Sequence, residues 1–159
     1  MPHITEKKHR LDKQYYLGKT IVSITICIKN KEKLFVTKNI VSVFEEYLVS
    51  TAEDYGVDII IYLFMPDHLH LILQGKSDDS DCIKMLNMFK QRTGYWLRKK
   101  EIHASWQKDY FDHIIGAEKD LTNQVYYILN NPVRKGFAGD VKLYPYKGST
   151  IMNLNEMEW

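Results

Sequence analysis

Two apolar runs, "VDIIIYLF" at 57–64 and "HLHLIL" at 68–73, are separated only by "MPD". That separator has the length and the proline of a tight hairpin connection. Short runs of this kind, bounded by turn residues, read as strands. The middle of the chain is therefore a β-hairpin, and the remaining segments must form around it.

The flanking segments alternate in type. In "TIVSITICIKN", Val22, Ile24, Ile26 and Ile28 face one way and Ile21, Ser23, Thr25 and Cys27 the other, which is the two-residue period of a strand. A helix follows over about 39–55, with Ile40, Phe44, Tyr47 and Leu48 on one face and Gly56 at its end. Ser80 or Asp81 is placed to cap a second helix running to about Lys100, with Ile83, Leu86, Phe89 and Trp96 on one side. "WQKDYFDHIIG" reads as a fourth strand. A last helix spans about 118–130 and is stopped by Pro132. The tail after it is mostly loop.

The order β-α-β-β-α-β-α predicts an α+β, ferredoxin-like (RRM-like) split βαβ fold. Two helices would cover one face of a four-stranded antiparallel sheet, leaving the other open or partly covered, and an additional helix would follow at the C-terminal end. The 159 residues fit one domain. Its parts are a basic arm at 1–19, a core at 20–147 and a tail at 148–159.

Composition removes several classes of function. No run of about 18 apolar residues exists to span a membrane. The polar, basic start lacks the apolar centre of a signal peptide. Cys27 and Cys82 are the only cysteines and form no CxxC, which argues against a disulfide framework or a zinc ribbon. A reduced, cytoplasmic protein is the expectation. A net charge of +2 is too small to imply nucleic-acid binding by itself.

The chemistry-bearing residues begin with His68 and His70. Residues two apart in a strand share a face. Leu69, Leu71 and Leu73 therefore oppose His68, His70 and Ile72. The leucines suit the helix-covered face, which leaves both imidazoles on the other one. Two imidazoles at this spacing can converge on a metal ion. They can equally be half-buried histidines donating to carbonyls, and two ligands are too few. A third has to come from an element crossing the same face.

The last helix is such an element. Leu121, Val125, Ile128 and Leu129 form its apolar stripe. Tyr127 points away from it, and Asn131 follows Tyr127 by four residues, one turn on. Tyr126 and Asn130 form an equivalent pair, and periodicity does not choose between them. A tyrosine hydroxyl can attack phosphorus and form a covalent ester. With an ordinary pKa near 10 it needs a nearby cation or base. An amide oxygen suits a hard divalent ion as a third ligand. A packed surface tyrosine and a plain helix stop are the alternative reading.

"MPDHLHLIL", "WQKDYFDHII" and "YILNNPVRKGF", in this order, resemble the single-tyrosine HUH transposases, close to the REP-associated tyrosine transposase branch. The resemblance covers about 15–147. The family's Tyr-Ile-x-x-Asn-Pro context matches Tyr127, Ile128, Asn131 and Pro132, and so points to Tyr127 over Tyr126. It implies His68, His70 and Asn131 as ligands of Mg²⁺ or Mn²⁺. It also implies cleavage and rejoining of single-stranded DNA, at hairpins or palindromic repeats, through a 5′-phosphotyrosine. In some relatives the tyrosine helix is exchanged within a homodimer. Two positions depart from the pattern: Asp67 stands where Asn is common, and Gly116 where Arg is often found.

For DNA contact the sequence offers Lys84, Arg92, Arg98 and Lys99, a stripe on the second helix opposite its apolar side. A solvated helix face has the same look. Arg134 and Lys135 follow the tyrosine helix, and the arm contributes Lys7, Lys8, His9, Arg10 and Lys13. Trp106, Tyr110 and Tyr126 are candidates for stacking on bases, although packing in the core or on the surface is the commoner role for any one of them. The competing class is an RRM-like module that binds nucleic acid without cutting it, although the aromatic and glycine pattern of such modules is missing.

Overall fold

The computed structural model describes residues 13–157. The arm's Lys7, Lys8, His9 and Arg10 and the side chain of Lys13 lie outside the described residues. From residue 13 onward the segment expected as arm belongs to the body. A short 3-10 helix (Lys13–Tyr16) buries Tyr16, and Leu17 forms a bridge with Asp81. Residues 13–19 are thus a tether, because Tyr16 is an apolar side chain with a core to enter.

The elements then run β1 (Ile21–Ile28), α1 (Lys38–Asp54), β2 (Val57–Met65), β3 (His68–Gly75), α2 (Cys82–Lys99), β4 (Trp106–Ile115), α3 (Glu118–Leu129), α4 (Asn131–Arg134) and β5 (Lys147–Gly148). Local chemistry sets their ends. The Thr37 hydroxyl accepts from the amide of Ile40 and caps α1. Gly56, at φ +62°, turns the chain out of α1 into β2. The cap of α2 is Asp81, whose carboxylate accepts from Lys84 N at 2.9 Å; Ser80 instead donates to the carbonyl of Gly56.

All strand pairs are antiparallel, in the order β4-β1-β3-β2-β5. The histidine strand, β3, is central, as the split βαβ pattern requires. Against one sheet face, α1 and α2 enclose Val22, Ile24, Ile26, Leu69, Leu71, Leu73, Phe44 and Phe89. Trp106 and Tyr110 belong to this core, with the Trp106 indole donating to Thr93 Oγ1 at 2.9 Å. They are packing residues, the commoner of the two roles that the sequence left open for them.

The opposite face is partly covered, by a second core. Val125, Ile128 and Leu129 of α3 meet Ile61, Leu63 and Ile72 of the hairpin. A bulge between Ile59 and Ile61 lets the consecutive Ile60 and Ile61 both enter this core. The segment after α4 completes it with Val141, Tyr144 and Leu154, and Tyr144 donates to Phe64 O. The expected tail boundary at 147 falls inside β5, which pairs with β2. Beyond it Thr150 still holds Ile59, so the tail is part of the fold. Among the described residues no helix is long and apolar enough to cross a membrane.

Candidate metal and nucleophile site

His68 and His70 stand side by side on the second face, with their Nε2 atoms 3.1 Å apart. Each ring is held from behind. Asp67 Oδ1 lies 2.6 Å from His68 Nδ1. A carboxylate only accepts, so His68 donates from Nδ1 and its Nε2 carries the lone pair. Thr25 lies directly across the β1–β3 ladder from His70, and its Oγ1 is 2.9 Å from His70 Nδ1. Asn131 places its amide nitrogen 3.0 Å from His70 Nε2. That nitrogen therefore accepts, and His70 too carries its hydrogen on Nδ1, pointing at Thr25.

Both Nε2 lone pairs then face one small volume. Two such pairs repel unless a cation lies between them. Ligands about 2.1 Å from one ion and at right angles stand about 3.0 Å apart. The observed separation of 3.1 Å fits. With an ion at that point, a half-turn of the Asn131 amide would present its oxygen in place of its nitrogen. Among the described residues no group of three or more His, Cys, Asp and Glu side chains is gathered to hold a metal. The Asn131 amide is the group that could add a third donor to the two imidazoles.

The electrostatics agree with this donor set. Burial lowers His70 to about 3, with the charges of His68 and Arg134 adding to the effect. His70 is a neutral lone-pair donor near pH 7. Cys27 lies across the ladder from His68. Burial pushes its thiol up, and Asp67 adds to that, so it remains a protonated neighbour and not a thiolate ligand.

A break in the last helix creates the rest of the site. The predicted single helix ends at Leu129, Asn130 caps it, and α4 starts a new turn with Pro132 in its first positions. Proline fits there because the first turn needs no amide donor. Pro132 thus opens a helix as well as closing one. At this joint Asn131 turns inward and is 8% exposed, whereas Tyr127 is 62% exposed. The two side chains are therefore not presented together outward, as one continuous helix would have them. The neighbouring amide, Asn130, is spent on the carbonyl of Tyr126 at 2.8 Å, so of the two amides Asn131 is the one that reaches the histidines. Arg134, one turn past the joint, lies over the Tyr127 ring at 4.0 Å.

The other charged candidates are placed differently. Lys84, Arg92, Arg98 and Lys99 belong to α2, on the helical layer across the sheet from the histidines. Arg92 already pairs with Asp54 at 2.8 Å, and Lys99 lies near the Tyr95 ring. Lys135 follows Arg134 at the end of α4. His113 pairs with Asp120 at 3.2 Å and so fastens the start of α3 to β4. Thr25 and the Arg134–Tyr127 stack escaped the sequence reading. Alternation set Thr25 opposite Val22, Ile24, Ile26 and Ile28, but only the strand register shows that it shares a face with His70 and opposes it.

These features define a chain with paired imidazoles on a central strand and a tyrosine on a helix that crosses the same face. The family model described as "Transposase IS200 like" matches residues 17–131, from before β1 through Asn131, and the chain belongs to that family. The REP-associated tyrosine transposase of Escherichia coli K12 is 23% identical over 134 residues, covering 84% of this chain and 79% of the relative. A Haemophilus influenzae protein provisionally given the same name is 29% identical over 133 residues, covering 77% of this chain and 75% of its own. The fold is shared with the solved structure of a REP-associated tyrosine transposase bound to a REP hairpin. Its TM-score is 0.74 at 21% identity, over 87% of this chain and 81% of that one.

Proposed function

We propose that the chain cleaves and rejoins single-stranded DNA at hairpin-associated sites, with Tyr127 as nucleophile and His68, His70 and Asn131 as ligands of Mg²⁺ or Mn²⁺. The observation that carries this reading is the convergence of the Asn131 amide and both imidazole Nε2 atoms, beside the helix that presents Tyr127, in a member of a transposase family. The bound ion would supply a Lewis acid for a non-bridging phosphate oxygen.

The protein groups do the rest. The Tyr127 oxygen attacks phosphorus as its hydroxyl proton passes to solvent. The bond to the 3′ oxygen breaks, that oxygen takes up a proton from solvent and departs as a 3′ hydroxyl, and the 5′ phosphate stays on Tyr127. Attack by a 3′ hydroxyl on this phosphotyrosine reverses the step and rejoins strands. Arg134 sits over the Tyr127 ring, where its charge faces both the phenol and an incoming phosphate. Arg134 and Lys135 hold the backbone near the nucleophile. Lys84, Arg98 and Lys99 are across the sheet, so any DNA they meet is another part of the substrate, such as the stem. Arg92, tied to Asp54, is the weakest candidate of the stripe.

We take the site as assembled in cis because only Gly116 and Ala117 connect β4 to α3. The decisive experiment incubates the protein with single-stranded hairpin DNA and Mn²⁺ and looks for a covalent adduct on a denaturing gel. Wild type forms it and Tyr127→Phe does not. An adduct with Tyr127→Phe, or none with wild type on its cognate hairpin, overturns the reading.

A further inference from the structure

The histidine face of the sheet is covered unevenly. On β1, Val22, Ile24, Ile26 and Ile28 are sealed at 0–1% exposure, whereas Ser23, Thr25 and Cys27, on the histidine side, remain partly accessible. The second core lies over the β2–β3 half, and α3 reaches β4 at its Ile115 end. Farther along β4, where among the described residues neither core extends, Phe111 faces Thr25 across the β1–β4 ladder. Thr25 in turn faces His70 across the β1–β3 ladder and touches its ring. Phe111, Thr25 and His70 thus form one row on one face, with Phe111 two strand spacings, about 10 Å, from His70. Phe111 is partly exposed and belongs to neither apolar core of the described residues.

We propose that this open half-sheet is the track for the single strand next to the cleaved phosphate, and that Phe111 is the platform on which one of its bases stacks. The proposal rests on the strand-cleavage reading above. The charges suit that occupant. The β1 floor of Ser23, Thr25 and Cys27 is uncharged, the same face of β4 carries Asp109 and the His113–Asp120 pair on either side of Phe111, and Arg134 and Lys135 lie on the side of Tyr127. Phosphates run along the cations and bases turn toward the floor. A duplex keeps its bases stacked inside and presents none to a flat aromatic surface, so the partner is unpaired DNA.

The test places 2-aminopurine at successive positions around the scissile phosphate of the hairpin oligonucleotide that gives the adduct. Binding is measured with full-length Tyr127→Phe protein, so that no cleavage intervenes. One position within about two nucleotides of that phosphate is expected to be quenched on binding. Phe111→Leu keeps the apolar volume but not the π face; it should abolish that quench and weaken binding about tenfold. Phe111→Trp should bind within about twofold of the parent, with its indole emission quenched by unlabelled DNA. Quenching and affinity unchanged in Phe111→Leu would overturn the platform. A wild-type adduct with Phe111→Leu unchanged removes the platform alone. Absence of any wild-type adduct removes the cleavage reading and, with it, the position assigned to the base.

Discussion

Asp67, behind His68, sets which nitrogen that imidazole offers. Asp67, at 2.6 Å from His68 Nδ1, is a carboxylate–histidine contact of the kind that raises ligand basicity and fixes the ring. Asp67→Ala should weaken Mn²⁺ binding by about 10–100-fold, measured by calorimetry on the metal-free protein. Asp67→Asn, the residue common in the family, keeps an acceptor for Nδ1–H and loses the charge, so its affinity should fall between the two. Equal affinity in all three would mean that packing alone holds His68. His70 makes a separate, pH-dependent contribution. Its folded pKa is depressed to about 3 from 6.5. On acidification through that window the unfolded chain takes up a proton that the folded imidazole refuses, so stability falls as pH falls. His70→Gln removes this share. Urea midpoints at pH 7 and pH 4.5 should therefore drop less in the variant than in wild type, and an equal drop would refute the assignment.

The element that decides whether these residues meet is α3, and its hold on the sheet is mainly apolar. Leu129 is fully buried in the second core, so Leu129→Ala should cost about 2–5 kcal/mol in urea unfolding. The His113–Asp120 pair is exposed on both sides, and Asp120→Ala should change stability by only a few tenths of a kcal/mol. The reverse ranking would mean that the ion pair, not the core, docks the helix. Strand and helix order, the central position of β3 and the face shared by His68 and His70 were all legible, because periods of 2.0 and 3.6 are local properties of sequence. The apolar stripe Leu121, Val125, Ile128, Leu129 was equally legible. What it packed against was not, since the second core is built with Val141, Tyr144 and Leu154 from a segment with no periodicity of its own. The inward turn of Asn131 was hidden for another reason. Pro132 reads as a stop, and only the fold shows a new turn beginning there. Whether Trp106 and Tyr110 pack or stack was not settled by sequence, because an aromatic residue on an edge strand looks the same whether it faces helices or solvent.

At the scale of the whole molecule the question is whose tyrosine serves whose histidines. The chain between β4 and α3 is only Gly116 and Ala117, and the helix lands on its own sheet through Val125, Ile128 and Leu129. Exchange with a second copy would expose this core in both chains until the partner helix docked, and would break the Asn131–His70 contact on the way. An arrangement in cis keeps both. It also makes the two halves of the site inseparable in mixing experiments. His68→Ala lacks a metal ligand and Tyr127→Phe lacks the nucleophile, so each alone should give no adduct. If the site is assembled in cis, an equimolar mixture, refolded together from urea to allow any exchange, should also give none. If helices are exchanged, a fraction of mixed dimers would unite an intact histidine pair with an intact tyrosine, and adduct would return to roughly a quarter of the wild-type level, by counting equally populated pairings of two chains with one restored site in each mixed dimer. Recovery of that size would move Asn131 and Tyr127 to the partner and overturn the cis assignment, while silence in a mixture that refolds to the wild-type melting temperature supports it.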